Sequence, residues 1–144
     1  MIRTLPPSVR DAALLVARLV LGVVLVAHGW QKVFTNGLGA TAEGFAGMGV
    51  PLAPVSAAFA GLVELVGGVL LLAGAATALV GVLVVLDMIG AALLVHVANG
   101  VFASSGGWEL VGVIAAAALV LAAVGAGRFS VDHVLASRRT TATV

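Results

Sequence analysis

Seven ionisable residues interrupt runs that are otherwise apolar: Arg18, His28, Lys32, Glu64, Asp87, His96 and Glu109. Carboxylates, imidazoles and an amine can hold or pass protons, and a guanidinium can clamp a carboxylate with two parallel hydrogen bonds. His28 and Lys32 are four residues apart, so they share one helix face. The cysteine count is zero, which excludes disulfides, thiolate metal sites, iron–sulfur clusters and thiol relays. No cluster has metal-ligand spacing, and no metal is expected. The glycine-rich stretch 37–49 lacks the spacing of a phosphate-binding loop.

The elements that carry these residues are set by composition. The chain has 144 residues, 62% of them hydrophobic and only 9% charged, with a mean hydropathy of +1.24. A water-soluble domain carries about 25% charged residues, so the solvent expected for this chain is lipid. At about 20 residues per crossing, there is room for at most four or five spans, and four are expected at about 11–34, 55–74, 78–97 and 108–127. No soluble domain fits beside them. Residues 1–136 are therefore expected to form one all-α integral membrane domain, a four-helix bundle, followed by a flexible tail over 137–144, disordered from 140 onward. The break at 75–77 predicts a hairpin, because one helix through it would exceed the hydrocarbon thickness of about 30 Å roughly twofold. Thr41, Phe45 and Met48 share helical spacing and predict a short surface helix within 35–54.

Orientation follows from the basic residues. Arg3 and Arg10 precede the first span, while Arg128, Arg138 and Arg139 follow the last. The positive-inside rule then makes both termini cytoplasmic. Trp30 and Trp108 fall at the expected outer interface, and Asp132 and His133 are expected at headgroup level. The N-terminal run is too long and too charged at Arg18 for a cleaved signal. The net charge of +1 and the lack of any basic stripe give no reason to expect nucleic acid as a partner.

A charged side chain at the bilayer centre costs about 2.5–3.5 kcal/mol on insertion scales, so it faces the bundle and takes a partner. With about 1.5 Å of rise per residue, Arg18 lies roughly 10 Å from the cytoplasmic boundary, and Glu64 and Asp87 roughly 15 Å. One charge network of Arg18, Glu64 and Asp87 is expected in that layer, either holding helix register or serving chemistry. A second layer nearer the outer face holds His28, Lys32 and Glu109, with His96, Gln31 and Asn99 close by. Helical phase puts Asp87 with Gly90, Ala91 and Leu94, but turns His96 about 180° away. That opposed phase argues against a haem held by His28 and His96.

The ordered motifs resemble the DoxX family of small bacterial membrane proteins. They are Arg18-Leu19 through His28-Gly29-Trp30-Gln31-Lys32, then Glu64-Leu65-Val66-Gly67-Gly68, then Asp87-Met88 ending in His96. Gly106-Gly107-Trp108-Glu109-Leu110 and the stretch from Gly125 to Asp132 complete the set. The alanine-rich composition resembles that of a high-GC actinobacterium. The resemblance implies a multi-pass protein of the bacterial cytoplasmic (plasma) membrane tied to redox physiology, including quinone-linked oxidoreduction and oxidative stress. On that footing the expected function is a membrane subunit of a quinone-linked oxidoreductase, with quinone or quinol held by His28, Lys32, Glu64 and Glu109. The alternative is a non-catalytic scaffold that docks partner redox enzymes. A homo-oligomer fits either reading, as does a third possibility, a small proton-coupled transporter.

Overall fold

The structure is a computed structural model that describes residues 6–141, with side chains described through residue 139. Helix α1 spans Pro7–Trp30 and continues through a π-helical turn, Gln31–Thr35. A short helix α2 follows at Leu38–Gly47, then α3 at Ala53–Ala73. Helix α4, Thr77–Ala91, runs on through a second π turn, Ala92–His96, and a 3-10 turn, Val97–Asn99. Helix α5 covers Glu109–Val124, and α6 covers Val131–Thr141. The chain forms the all-helical bundle expected from hydropathy. Three helical runs, Pro7–Thr35, Ala53–Ala73 and Thr77–Asn99, are long and apolar enough to cross a bilayer, and α5 is a shorter apolar helix. The tail expected from residue 137 begins inside α6, while 142–144 lie outside the described residues.

These helices are apolar on their outer faces as well as their inner ones. Val16, Val20, Leu62, Val66, Leu79, Leu86, Val113 and Val120 are all exposed. Outward apolar stripes on every long helix match a hydrocarbon solvent, since water would oppose so large a contiguous apolar surface.

With lipid outside, burying apolar surface no longer drives helices together, and close packing has to do so. Glycine supplies it. α1 packs chiefly on α3, and α4 chiefly on α5, with the α3–α4 hairpin joining the two pairs. A Cβ on Gly68 would lie 2.8 Å from the Val26 backbone nitrogen, and one on Gly81 would lie 2.8 Å from the Ala118 carbonyl oxygen. Between the pairs, Leu14, Leu21, Leu71, Val84, Ala118 and Leu121 form the core. The hairpin itself is closed by Gly74 in the left-handed region (φ 67°), with Ala75 N–H donating to Leu70 O (2.9 Å) and Gly74 N–H to Leu71 O (3.0 Å).

The segment after α5 folds back on this hairpin. Asp132 Oδ1 and Oδ2 accept from the backbone N–H groups of Ala76 (2.7 Å) and Thr77 (2.9 Å), capping α4 from a distant part of the chain. Its own N–H donates to Gly74 O at 2.9 Å. Arg18 donates to Phe129 O, and Asp11 Oδ1 accepts from Arg128 N at 3.3 Å. Asp132, expected among headgroups, is thus a clasp between tail and hairpin. Burial works against its ionised form, but the hydrogen bonds from Thr77 and Ala76 and the charge of Arg18 outweigh it and hold the carboxyl below the usual carboxylate range.

The glycine contacts and the clasp can each be tested. Gly68→Val should drive α1 off α3 and lower stability by roughly 1–3 kcal/mol, seen as a lower melting temperature in mild detergent, while Gly90→Leu, whose Cβ meets open space, should leave it unchanged or higher. The clasp adds stability wherever Asp132 is ionised. Proteolytic resistance of the tail should therefore be flat down to the unfolded carboxylate pKa of about 3.9, and fall as pH drops below it. Asp132→Asn should abolish that acid step, and an acid step unchanged in the variant would refute the assignment.

Candidate functional site

At the end of the bundle away from the clasp, the two helix pairs part around a cavity of about 440 Å³. Five of the seven singled-out residues line it: His28 and Lys32 from the end of α1, Glu64 from α3, and Asp87 and His96 from α4 and its π turn. Phe45 of α2, Met48 just after it, Phe59 of α3, Met88 of α4 and Ile114 of α5 supply apolar walls. A mostly apolar hollow with a few convergent polar groups is the usual form of a small-molecule site.

The electrostatic centre of the cavity is an ion pair. Lys32 Nζ lies 2.6 Å from Glu64 Oε2, and the two side chains are 21% and 7% exposed. A charge pair this far out of water survives only with direct contact, which the short distance supplies. The local backbone explains how Lys32 arrives. Gln31–Thr35 is π-helical, and Asn36 N–H reaches back to Gln31 O at 2.8 Å. The Lys32 carbonyl accepts instead from the Thr41 hydroxyl of α2, at 2.9 Å. A single π turn therefore aims the lysine and ties α2 over the cavity.

Asp87 is 8% exposed, and its Oδ2 has no hydrogen-bond partner among the described residues. It lies in electrostatic reach of both Glu64 and Lys32. His96 Nδ1 is 2.7 Å from Gly106 O. A carbonyl can only accept, so this nitrogen carries the proton, and in the neutral ring Nε2 is left as an acceptor.

The two expected layers are redrawn. Arg18 does not join Glu64 and Asp87: it sits against Gly74 and Ser130 at the clasp, ten residues or about 15 Å along α3 from Glu64. The depth estimate misplaces it because α1 begins at Pro7 and overshoots the α3–α4 turn, so the first turns of α1 pack on the returning tail. Lys32, expected in an outer layer with His28 and Glu109, takes the partner that Arg18 was expected to have. Glu109 is not among the cavity residues. Its Oε1 accepts from Ala103 N–H at 2.6 Å, and it sits in the first turn of α5, where a carboxylate complements the helix dipole. Gln31 is exposed, and Asn99 donates to Val95 O (3.2 Å). His96 reaches the cavity despite its opposed phase because the π turn adds about one residue, rotating the residues beyond it by roughly 100°. Phe59 and Ile114 were not singled out from sequence, since an apolar wall residue is indistinguishable there from a lipid-facing one.

Removing one member of the pair tests its weight. Lys32→Met should leave Glu64 buried and uncompensated, costing roughly 3 kcal/mol, read as a fall in thermal midpoint in detergent. Adding Glu64→Gln should recover most of that loss, and a double variant no better than the single one would show that the pair carries no coupling.

The comparisons with known proteins fall on this same part of the chain. A family model described as DoxX matches residues 13–97, more than half of the sequence. A protein of Bacillus subtilis (strain 168) named "Putative oxidoreductase CatD" is 40% identical over 83 residues, covering 56% of this chain and 58% of that relative's length. No solved structure matches. The matched residues take in α1 through most of the α4 run and include His28, Lys32, Glu64, Asp87 and His96, while Glu109 and Asp132 fall beyond them. The motif order, the helical bundle and the family match agree that the chain belongs to the DoxX family.

Proposed function

We propose that the chain is a membrane component of a redox system and holds a quinone or quinol ring in the cavity at the Lys32–Glu64 end of the bundle. The observation that carries this reading is the cavity itself: about 440 Å³, walled by apolar side chains, with a buried carboxylate oxygen of Asp87 left without a partner. A ring with polar groups at opposite edges fits such a site, because its faces are apolar and its oxygens need directed hydrogen bonds. His28, Asp87 and the Lys32–Glu64 pair are the residues that would hold it. Such a ring, when bound, supplies the two-electron chemistry that a chain without cysteine lacks in its own side chains. The oxidoreductase name of the Bacillus subtilis relative points the same way.

Access from the membrane is consistent with this reading. Phe59, Leu94 and Leu110 line the cavity and are also 41%, 49% and 44% exposed, so the wall borders the lipid-facing surface. A hydrophobic ligand dissolved in the bilayer can enter sideways without crossing water. The protein's residues would orient the ring and exchange its protons, with the His28 imidazole able to donate or accept one. By the positive-inside rule, the clasp end with Arg10, Arg128, Arg138 and Arg139 is assigned to the cytoplasm of a bacterial cell. The cavity then lies in the outer half of the cytoplasmic membrane.

A photoreactive quinone analogue added to membranes should label peptides of α1, α3 and α4 that line the cavity. Gly90→Leu should remove most of that labelling without unfolding the protein, since Gly90 lines the cavity and a Cβ there touches nothing within 4 Å. Glu109→Gln, outside the cavity, should leave labelling as it was. Full labelling of the Gly90→Leu protein would defeat the proposal.

A further inference from the structure

We infer that the cavity selects the reduced, hydroxyl-bearing form of its ring ligand, and that Asp87 is the acceptor responsible. This rests on the quinone/quinol reading above and adds to it which oxidation state is preferred and by which atom.

The preference comes from a mismatch between donors and acceptors. Of the described buried side-chain atoms that lack a partner, only Asp87 Oδ2 belongs to a residue lining the cavity; the others belong to Arg18 and Thr77 at the clasp end. The groups facing it from the neighbouring helices are Lys32 and His28 on α1, Glu64 on α3, and His96 further along α4. The ammonium is in contact with Glu64 at 2.6 Å. The His96 proton on Nδ1 is directed to Gly106 O, leaving an acceptor on the other nitrogen. The Ser56 hydroxyl, also at the wall, donates to Pro51 O at 2.8 Å. Two carboxylates therefore share one ammonium, and neither that ammonium nor the His28 ring donates to Asp87 Oδ2.

A buried acceptor without a donor is unfavourable, and supplying the donor recovers the loss. A quinone oxygen is itself an acceptor, and would place its lone pairs against those of the ionised Asp87 carboxylate. A quinol hydroxyl donates. The same ring is thus repelled at that edge when oxidised and held when reduced. No bond to hydrogen needs to break for this preference, which is a property of binding alone.

The test uses the purified full chain in lipid nanodiscs, with tetramethylhydroquinone kept reduced by excess ascorbate and tetramethylbenzoquinone as its oxidised partner. The reduced form should bind about tenfold more tightly, the scale of one hydrogen bond to a charged group. In Asp87→Asn, whose amide can donate as well as accept, the ratio should fall to near one because quinone binding improves. Asp87→Ser, which can also do both, should behave alike and serves if the asparagine variant folds poorly. Equal affinities in the unaltered protein, or a preference unchanged in both variants, would overturn the inference while leaving the quinone site standing. Tighter binding of benzyltrimethylammonium than of the hydroquinone would overturn it in favour of a cation site. If neither ring form binds the folded protein, the quinone reading fails and the inference with it.

Discussion

A carboxylate within an apolar helix must be matched by a cation brought in from another helix, and for Glu64 that cation is Lys32. Much of the cavity end is arranged around this need. Gly29 lets α1 approach so closely that a Cβ there would overlap the Leu65 backbone, bringing the end of α1 beside Glu64. The π turn after it rotates Lys32, and Thr41 satisfies the Lys32 carbonyl while anchoring α2 across the gap. Burying an ion pair is weak as a source of stability, because desolvation offsets the attraction. Its effect here is on geometry: Lys32 can meet Glu64 only in one register of α1 on α3.

The two ends of the bundle solve the same problem differently. At the clasp end, Asp132 and Arg18 meet backbone groups: helix N–H donors at the start of α4 and the Phe129 carbonyl. The Asp132 carboxylate is absorbed by the fold's own unsatisfied termini, which any helical hairpin presents, whereas Arg18 meets the backbone through one of its three nitrogens. At the cavity end the charges meet one another directly at the edge of a hollow, and one carboxylate oxygen is left over. A polar group completed by backbone has its partner built in. One left open beside an apolar cavity has room for a partner from outside.

How far the sequence spoke for this arrangement depends on which physical quantity each feature needed. The bundle was legible, because hydropathy and span length are sums over many residues and tolerate local error. So was the list of ionisable residues inside the apolar runs, and the hairpin at Gly74, where no single helix could be accommodated. Pairing was not legible. Whether Arg18 or Lys32 meets Glu64 depends on where α1 starts relative to the α3–α4 turn, and the overshoot of α1 exists because a tail more than a hundred residues away packs on it. The π turns were invisible for a related reason: they are tertiary compromises, and residues 31–35 and 92–96 contain no proline and no glycine to mark them. His96 shows the consequence, since ideal helical phase directs it away from the face it occupies.

The asymmetry between the ends also bears on motion. Glycine contacts at Gly68 and Gly81 close each helix pair, and the Leu14–Leu21–Leu71–Leu121 core with the clasped hairpin binds the two pairs together over the clasp half. Beyond Asp87 the cavity lies between the pairs, with α2 packed beside it on α3 and on the π turn of α1. A ligand that enters or leaves does so at the cavity end, where the pairs already stand apart. Both π turns lie at that end. A π turn holds one residue more than the α-helical ladder accommodates, and that extra residue sets the direction in which Lys32 and His96 leave α1 and α4.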